Sequence, residues 1–217
     1  MNAREALGRL HRLRVPAATT ADTAAVLGLS VAGASHTLRR LAAAGLVTAV
    51  RKGLWALTVP PEPLALAEYV TAPYPCYVSL QTALYRRGMI EQIPAMLYLV
   101  SLARSACVET RVGTYSVHHV PPELFGGFVV EVGGVKLAEP EKALVDFFYL
   151  SPTRGRLFAS LPELEIPRGF RWARAHAWAK RIPSRRMRTL VCRKLEALAG
   201  DAVHESSTTT RRGWTSR

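Results

Sequence analysis

The chain has 217 residues, 49% of them hydrophobic, enough for one large folded body or a small one joined to a medium one; a disordered or fibrous protein is excluded. Against 16 Asp/Glu stand 29 Lys/Arg, a net charge of +13 that favours polyanionic partners. Residues 1–60 carry eight cations and two acids, residues 61–150 six and nine, and residues 151–217 fifteen and five. A basic head and tail around a mildly acidic middle imply two electrostatically distinct roles, although charge alone does not separate DNA from RNA. Cys76, Cys107 and Cys192 are odd in number, far apart and in no metal-ligand spacing, so reduced thiols in a cytoplasm are expected. The first residues are amphipathic and arginine-studded without an apolar h-region, so no signal peptide is expected. The longest apolar stretches, such as residues 96–102, are too short to span a bilayer.

Leu7, Leu10 and the run from Leu13 to Val15 mark a first helix. Thr20 is placed to cap a second helix over residues 21–27, with Asp22 in its first turn, where the helix dipole favours a carboxylate. Gly28 supplies a sharp turn, and Ser30 caps a third helix that stops at Gly45. At about 100° per residue, Val31, Ala34, Leu38 and Leu41 share its core face. Ala32, Gly33, His36 and Arg40 lie opposite, flanked by Ser35 and Arg39. A helix that is small near its start and cationic further on suits a DNA groove, where base edges must be approached closely and phosphates held.

Residues 46–50 and 54–59 form two apolar-rich runs around Arg51-Lys52-Gly53, the pattern of a tight β-hairpin with two cations at its tip. Helix, turn, helix and basic hairpin together predict a winged helix-turn-helix over residues 1–60. Pro60-Pro61-Glu62-Pro63 is a stiff break. Beyond it, helical character is expected around residues 64–70. A second helix is expected over 80–87, capped by Ser79 and closed by Gly88. Strands are expected over 97–102, 114–120 and 128–132, with Gly133-Gly134 turning into 135–137. Pro140 opens a buried helix through Leu150, with Glu141 in its first turn and Lys142 and Asp146 spaced to pair. Two more helices follow, around 170–181 and 184–198; in the last, Arg185, Arg186, Arg188, Arg193 and Lys194 lie mostly outside the packing stripe. The predicted fold is α+β: a winged helix-turn-helix, a mixed α/β body over residues 61–205 and a polar basic tail over 206–217.

Candidate chemistry is thin. Glu131 and Lys136 flank a hairpin as in some metal-dependent nucleases, but the Glu-x-Lys spacing is missing and no acid stands upstream to share a metal. His118 and His119 are adjacent on a strand, so their rings point to opposite faces. No phosphate loop, nucleophile elbow, zinc spacing or dinucleotide fingerprint occurs. Neither an enzyme nor a cofactor or metal site is expected.

Three stretches resemble the AbiEi-type antitoxins of bacterial type IV toxin–antitoxin systems. They are the basic hairpin Arg51-Lys52-Gly53-Leu54-Trp55, the block from Tyr77 through Ser79-Leu80-Gln81-Thr82-Ala83-Leu84 to Ile90, and Ala138-Glu139-Pro140-Glu141-Lys142-Ala143-Leu144-Val145-Asp146. The resemblance covers roughly residues 10 to 200. It implies a winged helix joined to an α/β domain. It also implies repression of the protein's own operon at inverted repeats and a counteracted nucleotidyltransferase-like toxin. Members often carry a histidine before the helix-ending glycine; Arg87 stands here, so no role of that histidine carries over.

The sequence thus points to a cytoplasmic DNA-binding autorepressor and antitoxin whose partner is operator duplex, with dimerisation on DNA open. Ala32, Gly33, Ser35 and His36 would read a major groove, with His36 donating to a guanine or to a phosphate, Arg39, Arg40, Arg51 and Lys52 holding phosphates, and Ser30 among the DNA-binding residues at the start of the helix. The alternatives are a winged-helix-targeted nuclease and an RNA-binding module that shields a toxin's substrate.

Overall fold

The computed structural model describes residues 2–151 and 163–211, and in them helices combine with one three-stranded and one six-stranded sheet. Helix α1 (Ala3–His11) is capped by Asn2 and buries Ala6 and Leu10. It ends before the expected Leu13 and Val15, because Arg14 takes a left-handed backbone (φ 52°) that turns the chain out of the helix. Leu13 and Val15 are exposed, and a strand that no local pattern announces follows, β1 (Ala17–Thr19). Helix α2 (Thr20–Leu27) is capped by Thr19 rather than by Thr20. The Thr19 hydroxyl accepts from the Asp22 amide at 3.0 Å while the Asp22 carboxylate accepts from the Thr19 amide at 3.0 Å. The Thr20 hydroxyl oxygen instead accepts from the Trp55 indole N–H at 3.1 Å.

Gly28 closes α2 in the left-handed region (φ 65°), and α3 (Val31–Ala43) begins where the Ser30 hydroxyl accepts from the Gly33 amide. Strands β2 (Thr48–Arg51) and β3 (Leu54–Ala56), both shorter than expected, meet at Lys52-Gly53, with Gly53 at φ 80°. β3 lies between β1 and β2. Its residues are buried on both faces. Trp55, with Ala18 and Leu57, packs on Ala6, Leu10, Leu27, Leu38 and Leu41 of the three helices, whereas Leu54 and Ala56, with Ala17 and Val50, enter the larger core built by the rest of the chain. The period-2 alternation of a strand sends neighbouring residues into different cores.

That larger body follows the proline-rich break. A 3-10 turn (Pro63–Leu66) leads through α4 (Ala67–Thr71) to β4 (Cys76–Val78) and α5 (Leu80–Arg86). Strands β5 (Leu97–Ser101), β6 (Ala106–Thr110), β7 (Gly113–His119), β8 (Phe128–Val130) and β9 (Lys136–Ala138) complete a sheet ordered β6-β7-β5-β4-β9-β8. β4 and β6 are strands that the sequence pattern does not mark: one is three residues long and the other is a polar edge strand. Helices α6 (Pro140–Leu150), α7 (Trp172–Lys180) and α8 (Arg185–Arg211) follow. Ala175, Ala179, Val191 and Leu195 of α7 and α8 join the core that holds most of α6. α8 runs past its expected end near residue 198 and through part of the expected tail; residues 212–217 lie outside the described residues. Among the described residues no helix is long and apolar enough to cross a membrane.

The Pro-Glu-Lys helix carries a charge pair at the centre of the fold. Lys142 and Asp146 do pair across one turn of α6, but inside the core, at 0% and 1% exposure. Asp146 also accepts from the Tyr77 hydroxyl at 2.9 Å and the Ser79 hydroxyl at 2.8 Å. Ser79 is therefore no side-chain cap of α5; its hydroxyl points to the carboxylate instead. The Lys142 ammonium lies 5.4 Å from the Tyr77 ring centroid and 5.1 Å from that of Trp178. Gly127 (φ 72°) admits this stack, since a Cβ there would come within 2.8 Å of both Lys142 and Trp178. Desolvation holds the Lys142 pKa below the ordinary lysine value against the opposing pull of Asp146, and raises that of Tyr77.

Removing one partner of such a pair strands a buried charge. Asp146→Ala is expected to cost about 3–5 kcal/mol in urea unfolding, and Tyr77→Phe, which removes one donor, about 1 kcal/mol. Cys76 is fully buried, and desolvation pushes its thiol up to about 11. A maleimide at neutral pH is therefore expected to label the exposed Cys107 and spare Cys76 until the protein is denatured, as peptide mass mapping would show.

Candidate nucleic-acid interface

α3 has three faces. Ala34, Leu38 and Leu41 are buried, and Leu38 and Leu41 pack in the small core with residues of α1, α2 and the small sheet. Ala32, His36 and Arg40 are exposed on the open side, with Gly33 half-buried beside them. Between these faces, Val31, Ser35 and Arg39 line a cleft of about 920 Å3, whose far wall is the β2–β3 hairpin with Arg51, Lys52 and Gly53. Val31 is 60% exposed and belongs to the cleft, not to the core stripe expected for it. The helix starts there, and Ser30 and Val31 stand beyond the end of the packed turn.

The structure brings Ser35, Arg39, Arg51 and Lys52 together around one opening, while Ala32, Gly33, His36 and Arg40 occupy the adjoining open face of the same helix. Ser30 caps α3 as expected: its hydroxyl oxygen accepts from the Gly33 amide at 3.1 Å, which leaves its O–H able to donate outward. Arg51 is also partly committed, since it closes β2 and one guanidinium nitrogen donates to the Tyr69 carbonyl at 3.4 Å. Arg39, Arg40 and Lys52 make no ion pair among the described residues. The hairpin is held at its turn: the Gly53 carbonyl accepts from the Thr20 amide at 2.9 Å.

Sequence reasoning misses the third wall. Glu109, Thr110 and Arg111, at the tip of the β6–β7 hairpin, line the same cleft. The Arg111 amide donates to the Val50 carbonyl at 3.1 Å, so the large body touches the outer edge of β2 directly. No local pattern marks these residues, which stand some sixty positions from the basic hairpin and belong partly to a strand too polar to be recognised.

The other candidates have structural partners. Glu131 pairs with Arg87 at 3.2 Å, and Lys136 with Glu68 at 2.6 Å, so they do not form one acidic–lysine group. Arg87 also donates to the Ala138 carbonyl at 3.0 Å and the Leu137 carbonyl at 3.4 Å, fastening the end of α5 to β9. His118 is buried with its Nε2 2.9 Å from the Ser116 hydroxyl, and His119 is exposed. Several of the C-terminal cations are likewise engaged. Arg174 pairs with Glu139, Arg181 lies 4.3 Å over Trp178, and Lys194 lies 5.2 Å from the Phe148 ring centroid. Arg188 donates to the Ile182 carbonyl at 3.3 Å, near the end of α7. Arg185, Arg186 and Arg193 remain on a shallow groove with Thr189 and Leu190.

Neither protein-family models nor curated proteins match the sequence.

Gly33 offers a probe of α3 that leaves the fold alone, because a Cβ there would meet only ordinary contacts, 3.4 Å from the Ser30 hydroxyl oxygen and 3.6 Å from Leu29 Cβ. Gly33→Ala is expected to keep or raise thermal stability, by up to about 1 kcal/mol.

Proposed function

We propose that this protein is a cytoplasmic, DNA-binding transcriptional repressor, with α1–α3 and β1–β3 acting as a winged helix-turn-helix and the Lys52-Gly53 hairpin as its wing. The observation that carries the reading is the convergence of α3 and this hairpin on one cleft, with Arg39 and Lys52 in no ion pair among the described residues and Arg40 on the adjoining open face. Cations held on rigid elements beside small residues match duplex geometry: Ala32, Gly33, Ser35 and His36 meet base edges while the arginines and lysine hold phosphates. Ser35 and His36 give the base-facing side hydrogen-bonding groups, and Ala32 and Gly33 let the backbone approach. The similarity of the 51–55, 77–90 and 138–146 stretches to AbiEi-type proteins supports the biological role. In that role the protein represses its own operon and counters a nucleotidyltransferase-like toxin.

A gel-shift titration over 50–200 mM salt with a promoter duplex from the protein's own gene tests the reading. Arg39→Ala combined with Lys52→Ala is expected to weaken binding to all duplexes and to lower the log–log salt slope by about two units. Affinity unchanged in that variant, or equal affinity of the unaltered protein for structured RNA and for duplex, would count against the assignment. Co-expression with the protein encoded beside it in the genome, scored by growth, tests the antitoxin role.

A further inference from the structure

The cleft between α3 and the basic hairpin is closed on its third side by the large body, and that wall bears charge. The β6–β7 tip places Arg111 and Glu109 there, both exposed and neither in an ion pair among the described residues. It is not a loose loop. Thr110 pairs with Gly113 across the ladder, its hydroxyl donates to the Gly113 carbonyl at 2.6 Å and accepts from the Val112 amide at 3.2 Å, and Val112 packs on the large core. The Arg111 amide then docks on the Val50 carbonyl of β2. A charged, hydrogen-bonded turn fixed to the edge of the wing strand has a defined position relative to anything that enters the cleft.

We propose that the β6–β7 tip is a third nucleic-acid contact, supplied by the large body, in which Arg111 holds a backbone phosphate and Glu109 repels one. The proposal rests on the reading of α3 and the hairpin as a duplex-binding surface. A polyanion bound by Arg39 and Lys52 lies along the cleft that Arg111 and Glu109 border. Arg111 adds to the sequence-independent attraction, and Glu109 subtracts from it. The carboxylate is the only acid lining the cleft among the described residues, and it lowers affinity for any backbone by the same factor. The large body thereby tunes overall affinity without reading a base.

The two charges predict opposite signs, which a merely structural hairpin does not. Fluorescence anisotropy of the full chain with a random-sequence 24-base-pair duplex at 100 mM salt provides the measurement. Arg111→Ala is expected to weaken binding several-fold and to lower the salt slope by about one unit. Glu109→Gln is expected to tighten binding several-fold. Arg104→Ala, an exposed cation in the turn at the opposite end of β6, is expected to change nothing. Thermal melts of all three verify the fold, and Arg111→Lys should restore the slope if charge is what matters. If Arg39→Ala with Lys52→Ala weakens binding while Arg111→Ala and Glu109→Gln leave it unchanged, this proposal falls and the duplex-binding reading survives. If Arg111→Ala tightens binding, the tip obstructs the cleft and the proposal is equally overturned. Failure of the unaltered protein to bind duplex overturns both.

Discussion

The two-sided burial of β3 is the constraint on which the rest of the structure depends. In the four residues Leu54-Trp55-Ala56-Leu57, alternate side chains enter different cores. Trp55 and Leu57 close the small helical core, while Leu54 and Ala56 complete the large one. Neither core is finished without this strand, so the three N-terminal helices and the six-stranded sheet share one structural element. Burial of this apolar area on both faces makes independent swivelling of the two parts costly.

That coupling gives the candidate interface its shape. A basic hairpin on a free small domain would be positioned only by its own turn. Here the large core holds Val50 and Leu54 next to the turn, and the β6–β7 tip bonds to the edge of β2. The cations of α3 and the hairpin are therefore presented by a rigid frame, which limits the ordering cost when a polyanion binds. A coherent division of labour follows. Cations with acidic, aromatic or carbonyl partners, such as Arg87, Arg174, Arg181 and Arg188, hold the large body together. Arg39, Arg40, Lys52 and Arg111 are left to face outward.

The Lys142–Asp146 pair plays a different part. Burying a lysine and an aspartate is costly unless each is satisfied, and here two hydroxyl donors and two aromatic faces surround them. This arrangement specifies how α6 sits against β4 and α7, because a shifted helix would leave both charges unpaired. It also ties the stretch from Tyr77 to Ile90 to the stretch from Ala138 to Asp146, because Ser79 and Lys142 both bond to Asp146 in the folded core. These two stretches build the scaffold, whereas Arg51, Lys52, Gly53 and Trp55 line the cleft.

By itself, the sequence determined the helices with strong local signals. Gly28 and Ser30 set the turn into α3, Pro140 and Glu141 open α6, and Gly133-Gly134 reverse the chain, because caps and turns depend on residues within a few positions. It also determined which face of α3 carries Arg40 and His36, since that follows from helical periodicity alone. Only the tertiary structure decided the rest. β1, β4 and β6 are short or polar and acquire their hydrogen bonds from distant partners, so nothing local announces them. Val31 left the core stripe because a helix end projects past the surface that packs it. Thr19 displaced Thr20 as the cap once Trp55 claimed the Thr20 hydroxyl. Most of all, the placement of Glu109 and Arg111 beside Arg39 and Lys52 depends on the shared strand β3 and the Val50 carbonyl, contacts between segments that only folding brings together.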